Sequence, residues 1–380
     1  MDFSLTEEQT LLKESVNRYL ADNYGVEKFR EYRHQTTQER SAIWQEFAEM
    51  GWLALPFDEE YGGFGGSAID TALIMEEFGR GLVAEPYLAS VLLAGKAIAE
   101  AGSDEQKERY LPGIVEGSVQ AAFAFAEPEA RFCRHDIDVR AVKKGEAYVL
   151  NGSKALVLNG DAANLLVVAV RTEGQRLDTT GISLFAIDAD QPGIDRRDYP
   201  CVDGHRAAEI SFTDVEVSSD ALLGEPNKAL AVIDKVLDEA TIAVSAEAVG
   251  IMDALVAATV EYTKTRVQFG RPIGSFQVLQ HRMVDMYMEA EETRSLLYMA
   301  AMKSAGGDAD TSQAVSALKV KVASAGRFVG QEAVQLHGGM GMSDEMGVGH
   351  YFKRLTTINT LFGNGDFHLK RYAALSKEAA

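Results

Sequence analysis

Residues 147–160 read AYVLNGSKALVLNG, and the character of this stretch divides the chain. Apolar and β-branched residues gather here at a short period, as they do in NLLVVAV (164–170), GISLFAI (181–187) and AEISFTDVEV (208–217). Ile210 and Phe212, then Val215 and Val217, alternate as a half-buried strand requires. Glycines and Asn-Gly pairs punctuate these runs, so the spacing predicts an antiparallel barrel or sandwich rather than βαβ units. The β-rich region runs from about 119 to 225.

On either side the period lengthens to that of helices. In LTEEQTLLKESVNRYLADNY (5–24), Leu11, Leu12, Val16, Tyr19 and Leu20 recur at helical spacing, and Thr6 stands where an N-cap belongs. A second helix, roughly Glu39 to Met50, is expected to end at Gly51. In PFDEEYGGFGGSAIDTALIMEEFGR (56–80), Gly62, Gly63, Gly65 and Gly66 mark a loop, and Ser67 leads into another amphipathic helix. From about 226 onward the chain is again helical, rich in Ala, Leu and Met. No fixed-period repeat interrupts the order α, β, α.

Composition narrows the function classes. The 380 residues are 46% hydrophobic and 25% charged, the balance of a globular chain. Its length suggests two or three domains. A formal net charge of −20 disfavours a nucleic-acid partner, because such a surface repels phosphate. Cys133 and Cys201 are too few for a disulfide framework and fit a reducing compartment. The polar start MDFSLTEEQT does not read as a secretory signal, and no apolar run reaches the about 20 residues of a membrane span. A cytoplasmic protein is expected.

Several catalytic signatures are missing from the sequence. There is no P-loop, and GGFGG lacks the G-x-G-x-x-G spacing of a Rossmann turn. The seven histidines show no metal-ligand spacing, so no metal site is expected. No G-x-S-x-G elbow occurs.

Six strings in order carry a resemblance instead: FSLTEEQTLLKESVNRYL (3–20), LPFDEEYGGFGG with IMEEFGR (55–80), AFAEP (124–128), YVLNGSKALVLNG (148–160), YTKTRVQFGRPIGSFQVLQHRMVDM (262–286) and QLHGGMGM (335–342). Together they resemble the acyl-CoA dehydrogenase family over essentially the whole chain. RVQFGRPIGSFQ and QLHGGMG are the most specific, and the likeness is nearest to heteromeric members such as the pimeloyl-CoA and steroid side-chain dehydrogenases. The resemblance implies an α+β multidomain, acyl-CoA dehydrogenase-like fold. Its parts would be an N-terminal helical domain (1–118), a middle antiparallel β-domain (119–225) and a C-terminal four-helix bundle domain (226–380). It also implies noncovalent FAD between the domains, a tetramer, and α,β-dehydrogenation of an acyl-CoA thioester with hydride passing to flavin N5. Electrons would then go to an electron-transfer flavoprotein, and the tetramer would be homomeric or shared with a sister acyl-CoA dehydrogenase chain.

That chemistry needs a base for a weakly acidic α-proton and donors for the developing enolate oxygen. Family members carry the base in a tyrosine-glutamate-glycine-threonine string, matched here by TLFGNGDFHL (360–369) with Phe362 in the glutamate's place. The family's second location falls on Ala240, within LDEATIAVSAEAVG (237–250). Glu247 is the substitute this sequence offers. It lies nearly two turns past Ala240, on the same side of the helix, within an apolar run. It could be the catalytic base, raised in pKa by burial, or a structural carboxylate paired with a buried arginine. Asp238 and Glu239 are nearby alternatives, but their more polar stretch reads as a solvated helix face. The oxyanion donor implied by the resemblance is the backbone N–H at position 362, which tolerates a changed side chain.

The same resemblance supplies flavin contacts. Backbone at Phe125 and Ala126 would touch the isoalloxazine, with Ala126 replacing a frequent threonine. Leu156 and Leu158 stand where tryptophan and threonine are common. Arg266, Gln268 and Phe269 match the triplet that reaches the adenosine diphosphate of a neighbouring subunit's FAD, and Gln277 follows on the same segment. A guanidinium suits a pyrophosphate; the alternative for Arg266 is a surface pairing with Glu261. Gln335, Gly338 and Gly339 match a loop that approaches the cofactor closely, a place where glycine is sterically suited. Asn364 and Asp366 match positions near the phosphates. His337 reads as structural. Thr241 replaces an arginine that often follows the base, so the acyl group stays open among dicarboxyl, steroid-derived and fatty chains. Two rival readings keep the fold: a noncatalytic chain that completes FAD sites beside a sister, and a flavin monooxygenase.

Overall fold

Thr6 accepts the Gln9 N–H at 3.2 Å while Gln9 Oε1 accepts the Thr6 N–H at 3.1 Å. This capping box satisfies two donors that a helix start leaves open, and it opens α1 (Glu7–Asn23). α2 (Val26–Tyr32) and α3 (Thr37–Glu49) follow. Gly51 sits at φ 75°, a left-handed exit that glycine tolerates. Ser67 and Asp70 form the cap of α4 (Ala68–Gly81). Next come a fully buried π-helical segment, Tyr87–Gly95, then α5 (Lys96–Ala101) and α6 (Asp104–Val115). The computed structural model describes residues 5–35 and 37–378, without the side chains of 37–39 and 378. Phe3 and Ser4, which open the first family-like string, lie outside the described residues.

The middle region forms β1 (Ala121–Ala124), β2 (Arg140–Lys144), β3 (Ala147–Leu158), β4 (Leu165–Arg171), β5 (Ile182–Asp188), β6 (Ile194–Pro200), β7 (Arg206–Ser218) and β8 (Leu222–Leu223). They make one sheet in the order β6-β7-β3-β2-β4-β5-β8, with β1 beside β4. Most neighbours are antiparallel, but β1 and β2 each run parallel to β4. The sheet is therefore mixed, not purely antiparallel. Asn151-Gly152 is not a hairpin turn either. It lies inside β3 at a register shift, where a Cβ on Gly152 would come within 2.9 Å of Val139 Cα. A close backbone approach, not chain reversal, explains that glycine. Leu150, Val168, Val170, Phe185 and Ile210 fill the core beneath.

The C-terminal region holds α7 (Leu230–Thr265), a short hairpin of β9 (Val267–Gln268) and β10 (Arg271–Pro272), α8 (Gln277–Gly306), α9 (Thr311–His337), α10 (Gly347–Thr360) and α11 (Gly365–Glu378). α9 packs against α8, α10 and α11. α7 contains an 18-residue window of mean hydropathy 1.6, long and apolar enough to cross a membrane, but 78% of that window is buried inside the protein. It is a core helix.

Two compact units emerge: Met1–His34, Ser67–Ala84 and Thr241–Ala380 form one, Gln35–Gly66 and Glu85–Ala240 the other. In the first, α4 and α7 touch backbone to backbone. A Cβ on Gly79 would lie 2.1 Å from Glu247 O, and one on Gly250 would lie 1.8 Å from Glu76 O. Buried Glu76 at this crossing receives Arg80 at 2.6 Å and Arg294 at 2.7 Å, so its charge is compensated.

Candidate active site

Glu247 is held on α7 with 4% of its surface exposed. Arg354 on α10 donates from Nε to Glu247 Oε1 at 2.6 Å and from Nη2 to Oε2 at 2.8 Å. This is the fork-to-fork geometry that planar guanidinium and carboxylate groups favour. Both oxygens are engaged, so the structural pairing is the arrangement present. A substrate proton would have to compete with the guanidinium for this carboxylate, and a guanidinium that left it would stand as an unpaired buried charge. Asp238 is not solvated as expected: it is buried and receives Arg134 at 2.8 Å. Glu239 pairs with Lys96 at 3.5 Å.

Phe362 is half-buried at φ 58°, a left-handed conformation unusual for an aromatic residue. Its loop is held through backbone. Lys319 Nζ, on α9, donates to Leu361 O at 2.7 Å and Gly363 O at 2.8 Å. His368 Nε2 donates to Phe362 O at 3.2 Å. Asn364 Oδ1 accepts the Phe367 N–H at 2.9 Å and so caps α11. Asp366 lies exposed in that helix's first turn. Burial drives the Lys319 amine down to about 7. Sequence reading missed Lys319 and Arg354, since nothing local links them to partners 42 and 107 positions away, and also His368, although Phe362 lies only six positions before it.

In the other unit, the strand end Phe125–Glu127 is pinned by a buried ion pair. Lys154 Nζ donates to Glu127 Oε1 at 2.7 Å and to Phe125 O at 3.2 Å. The Glu127 carboxylate also accepts the N–H groups of Asp138 at 2.8 Å and Val139 at 3.0 Å. Burial pushes the Lys154 amine down, and Glu127 opposes that fall. Ala155 N–H donates to Ala126 O at 2.9 Å, which brings β3 against the strand end. Leu156 follows at φ 50°, exposed, with Leu158 half-buried. Phe125, Ala126, Leu156 and Leu158 thus belong to one patch of this unit.

The remaining expected contacts lie in the helical unit. Arg266 precedes the β9–β10 hairpin, whose turn uses Phe269 at φ 54° and Gly270 at φ 79°. Phe269 is 92% exposed, and Arg266, Gln268 and Gln277 are exposed too. Glu261 pairs with Lys264 at 2.6 Å, leaving the surface pairing expected as an alternative for Arg266 unrealised. Gln335, Gly338 and Gly339 line a cavity of about 690 Å³, together with Arg282, Met342 and Phe352. No atom lies within 4 Å of where a Cβ on Gly338 or Gly339 would be. His337 is not fully satisfied. Its Nδ1 bonds Ala333 O at 2.8 Å and its ring stacks on Tyr262 at 4.3 Å, but buried Nε2 has no partner among the described residues. Among the described residues, no three His, Cys, Asp or Glu groups are placed to hold a metal.

In the helical unit the open glycine-lined cavity and the exposed Arg266 offer backbone and a cation to an anionic ligand, while Arg282 at that cavity is already paired with Glu332. In the other unit the Ala126 N–H has no protein partner among the described residues. An organic cofactor that brings its own redox chemistry fits such donors better than a metal does.

The comparisons agree with that class. Residues 6–118 match the N-terminal domain of acyl-CoA dehydrogenases, 122–215 the middle domain and 227–375 the C-terminal domain. The chain therefore belongs to the acyl-CoA dehydrogenase family. It is 34% identical to the short-chain-specific acyl-CoA dehydrogenase of Megasphaera elsdenii, over 97% of this chain and 98% of that one. The FAD complex of PigA superposes with a TM-score of 0.92 at 26% identity, covering all of both chains. A chain of the Tcur3481-Tcur3483 steroid acyl-CoA dehydrogenase, G363A variant, superposes with a TM-score of 0.88 at 28% identity over 98% of each.

Proposed function

We propose that this chain is an FAD-holding subunit of an acyl-CoA dehydrogenase that leaves removal of the substrate's α-proton to a sister chain. As a member of its family it is a flavoprotein oxidoreductase with FAD as cofactor. When bound, FAD accepts the hydride that leaves Cβ of an acyl-CoA thioester. Phe125, Ala126, Leu156 and Leu158 would hold the ring. Arg266, Gln268, Phe269, Gln277, Gln335, Gly338, Gly339 and Asn364 would serve the diphosphate end, and Asp366, an anion near phosphates, contributes least. An electron-transfer flavoprotein would take the electrons, and a heterotetramer would supply the base.

One observation carries this reading: Glu247, the carboxylate the sequence favours as a base, is closed in a two-point pair with Arg354, while Phe362 stands at the family's glutamate position. A second reading keeps Glu247 as the base, with the pair opening when acyl-CoA arrives. What favours it is shelter: at 4% exposure the carboxylate is withdrawn from bulk water, as a base for a weak carbon acid should be.

Anaerobic titration with an acyl-CoA panel separates the two. The first expects the flavin-loaded chain to stay yellow alone and to bleach once the sister chain is added. Bleaching by the chain alone, abolished by Glu247→Gln, overturns it and establishes the second.

A further inference from the structure

Lys154 and Glu127 are both buried, yet neither belongs to a proton-transfer site. Three contacts consume the Glu127 carboxylate: the N–H groups of Asp138 and Val139, and the Lys154 ammonium. The lysine's remaining contact is directed at one backbone carbonyl, Phe125 O, at 3.2 Å. That carbonyl belongs to the peptide joining Phe125 to Ala126. No cis peptide occurs among the described residues, and a trans peptide points its C=O and N–H in opposite directions. With the carbonyl turned inward to a fully buried amine, the Ala126 N–H points outward. It has no partner among the described residues, and Ala126 is half-buried.

A hydrogen bond to the carbonyl of a peptide polarises that peptide and strengthens its N–H as a donor. A charged donor does so more than a neutral one. We infer that Lys154 acts through the Phe125–Ala126 peptide, making the Ala126 N–H a polarised donor that favours negative charge on the flavin ring. This rests on the FAD-holding role proposed above. It gives a buried lysine with no substrate contact a reason to stand where it does: with alanine at 126 there is no side-chain hydroxyl to donate, and the backbone N–H is what remains. Lys154 is therefore a positioning residue that tunes the cofactor through another group.

The test is sulfite binding to the FAD-loaded full chain, with the sister chain present if loading requires it. Sulfite adds its sulfur lone pair to flavin N5 and places the electron pair in the ring as negative charge, so its affinity reads how well the protein stabilises that charge. Lys154→Met should retain FAD, raise the sulfite Kd about tenfold, and move the two-electron midpoint potential about 30 mV more negative, the tenfold change converted. A folded, fully flavin-loaded variant with unchanged sulfite Kd and potential overturns the inference. Should Lys154→Met fail to fold because Glu127 is stranded, Lys154→Met/Glu127→Gln removes both charges together, and the same expected and overturning results apply. A parent chain that takes up no FAD, alone or with its sister, removes the flavin reading and this inference together. FAD uptake with an unresponsive variant removes only this one.

Discussion

Glu247 and Arg354 lie 107 positions apart in sequence and meet in a buried two-point ion pair, at 2.6 and 2.8 Å, that joins α7 to α10. Removing one partner of such a pair strands the other charge and costs about 3–5 kcal/mol, whereas replacing both by apolar groups is often neutral. Arg354→Met should therefore lower the unfolding free energy by about that amount, and Glu247→Leu/Arg354→Met should recover most of it. Urea unfolding of the single and double variants measures this. A pair that had only to be broken for catalysis would show little loss in Arg354→Met.

The crossing beneath that pair depends on two glycines. A methyl on Gly250 would meet Glu76 O at 1.8 Å and one on Gly79 would meet Glu247 O at 2.1 Å, far inside contact distance. α4 and α7 would have to separate, so Gly250→Ala and Gly79→Ala should each destabilise by about 3 kcal/mol or more, at the upper end of overpacking costs. Thermal melts read the loss. Retained stability in both would mean the helices are not locked at this spacing.

Much of this architecture is legible along the sequence, because periodicity and caps are local. Thr6 and Ser67 start helices where their side chains can reach backbone N–H groups, and the change of period near residues 119 and 226 reports the α, β, α order. Asn151-Gly152 misled because a glycine required by Val139, in the segment leading into β2, looks the same as one required by a turn. Asp238 misled because Arg134, its partner, is 104 positions away. The site suffers most from this. Glu247 stood out as an acid in an apolar run, but whether such an acid is a base or half of an ion pair depends on a side chain that only the fold brings near.

Buried amines and imidazoles set a pH dependence with one sign. Burial lowers Lys319 to about 7 from 10.5, so between those values the unfolded chain holds more protons than the folded one. Stability should rise with pH across that window, and Lys319→Met should flatten the rise while losing the bonds to Leu361 O and Gly363 O. His337 and His350 are lowered below 6.5, chiefly by burial, so stability should fall as pH drops beneath that value. Denaturation midpoints at several pH values between 5 and 9, for parent and Lys319→Met, check both limbs. A midpoint that falls between pH 7 and 9 in the parent alone would reverse the sign assigned to Lys319.

Gly339 separates cofactor binding from folding. A Cβ there meets nothing within 4 Å, so Gly339→Ala should fold as the parent does. The same methyl would stand in the cavity beside Gln335 and Arg282 and hold a diphosphate off the backbone. FAD affinity should drop by about tenfold, some 1.4 kcal/mol, with an unchanged melting temperature for the flavin-free protein. Equal affinity would place the adenosine end of the cofactor elsewhere.

Phe362 offers a direct test of the proposal that this chain lacks a base of its own. Its backbone is already fixed in the left-handed conformation by Lys319 and His368 from either side, and neither contact involves the phenyl ring. Phe362→Glu should therefore keep the loop and restore a carboxylate at the family's position. If absence of a base is what silences the chain, the flavin-loaded variant should bleach anaerobically with acyl-CoA when the parent does not. The rate should fall with pH as the new carboxylate protonates, since only its charged form accepts a proton. Glu247→Gln added to this variant should leave the bleaching in place, because the ion pair on α7 plays no part in it. Bleaching lost in that double variant would instead make Glu247 part of the reacting machinery. A variant that binds acyl-CoA but never bleaches would show that the ring and the thioester are held out of register, a defect no carboxylate at 362 can mend.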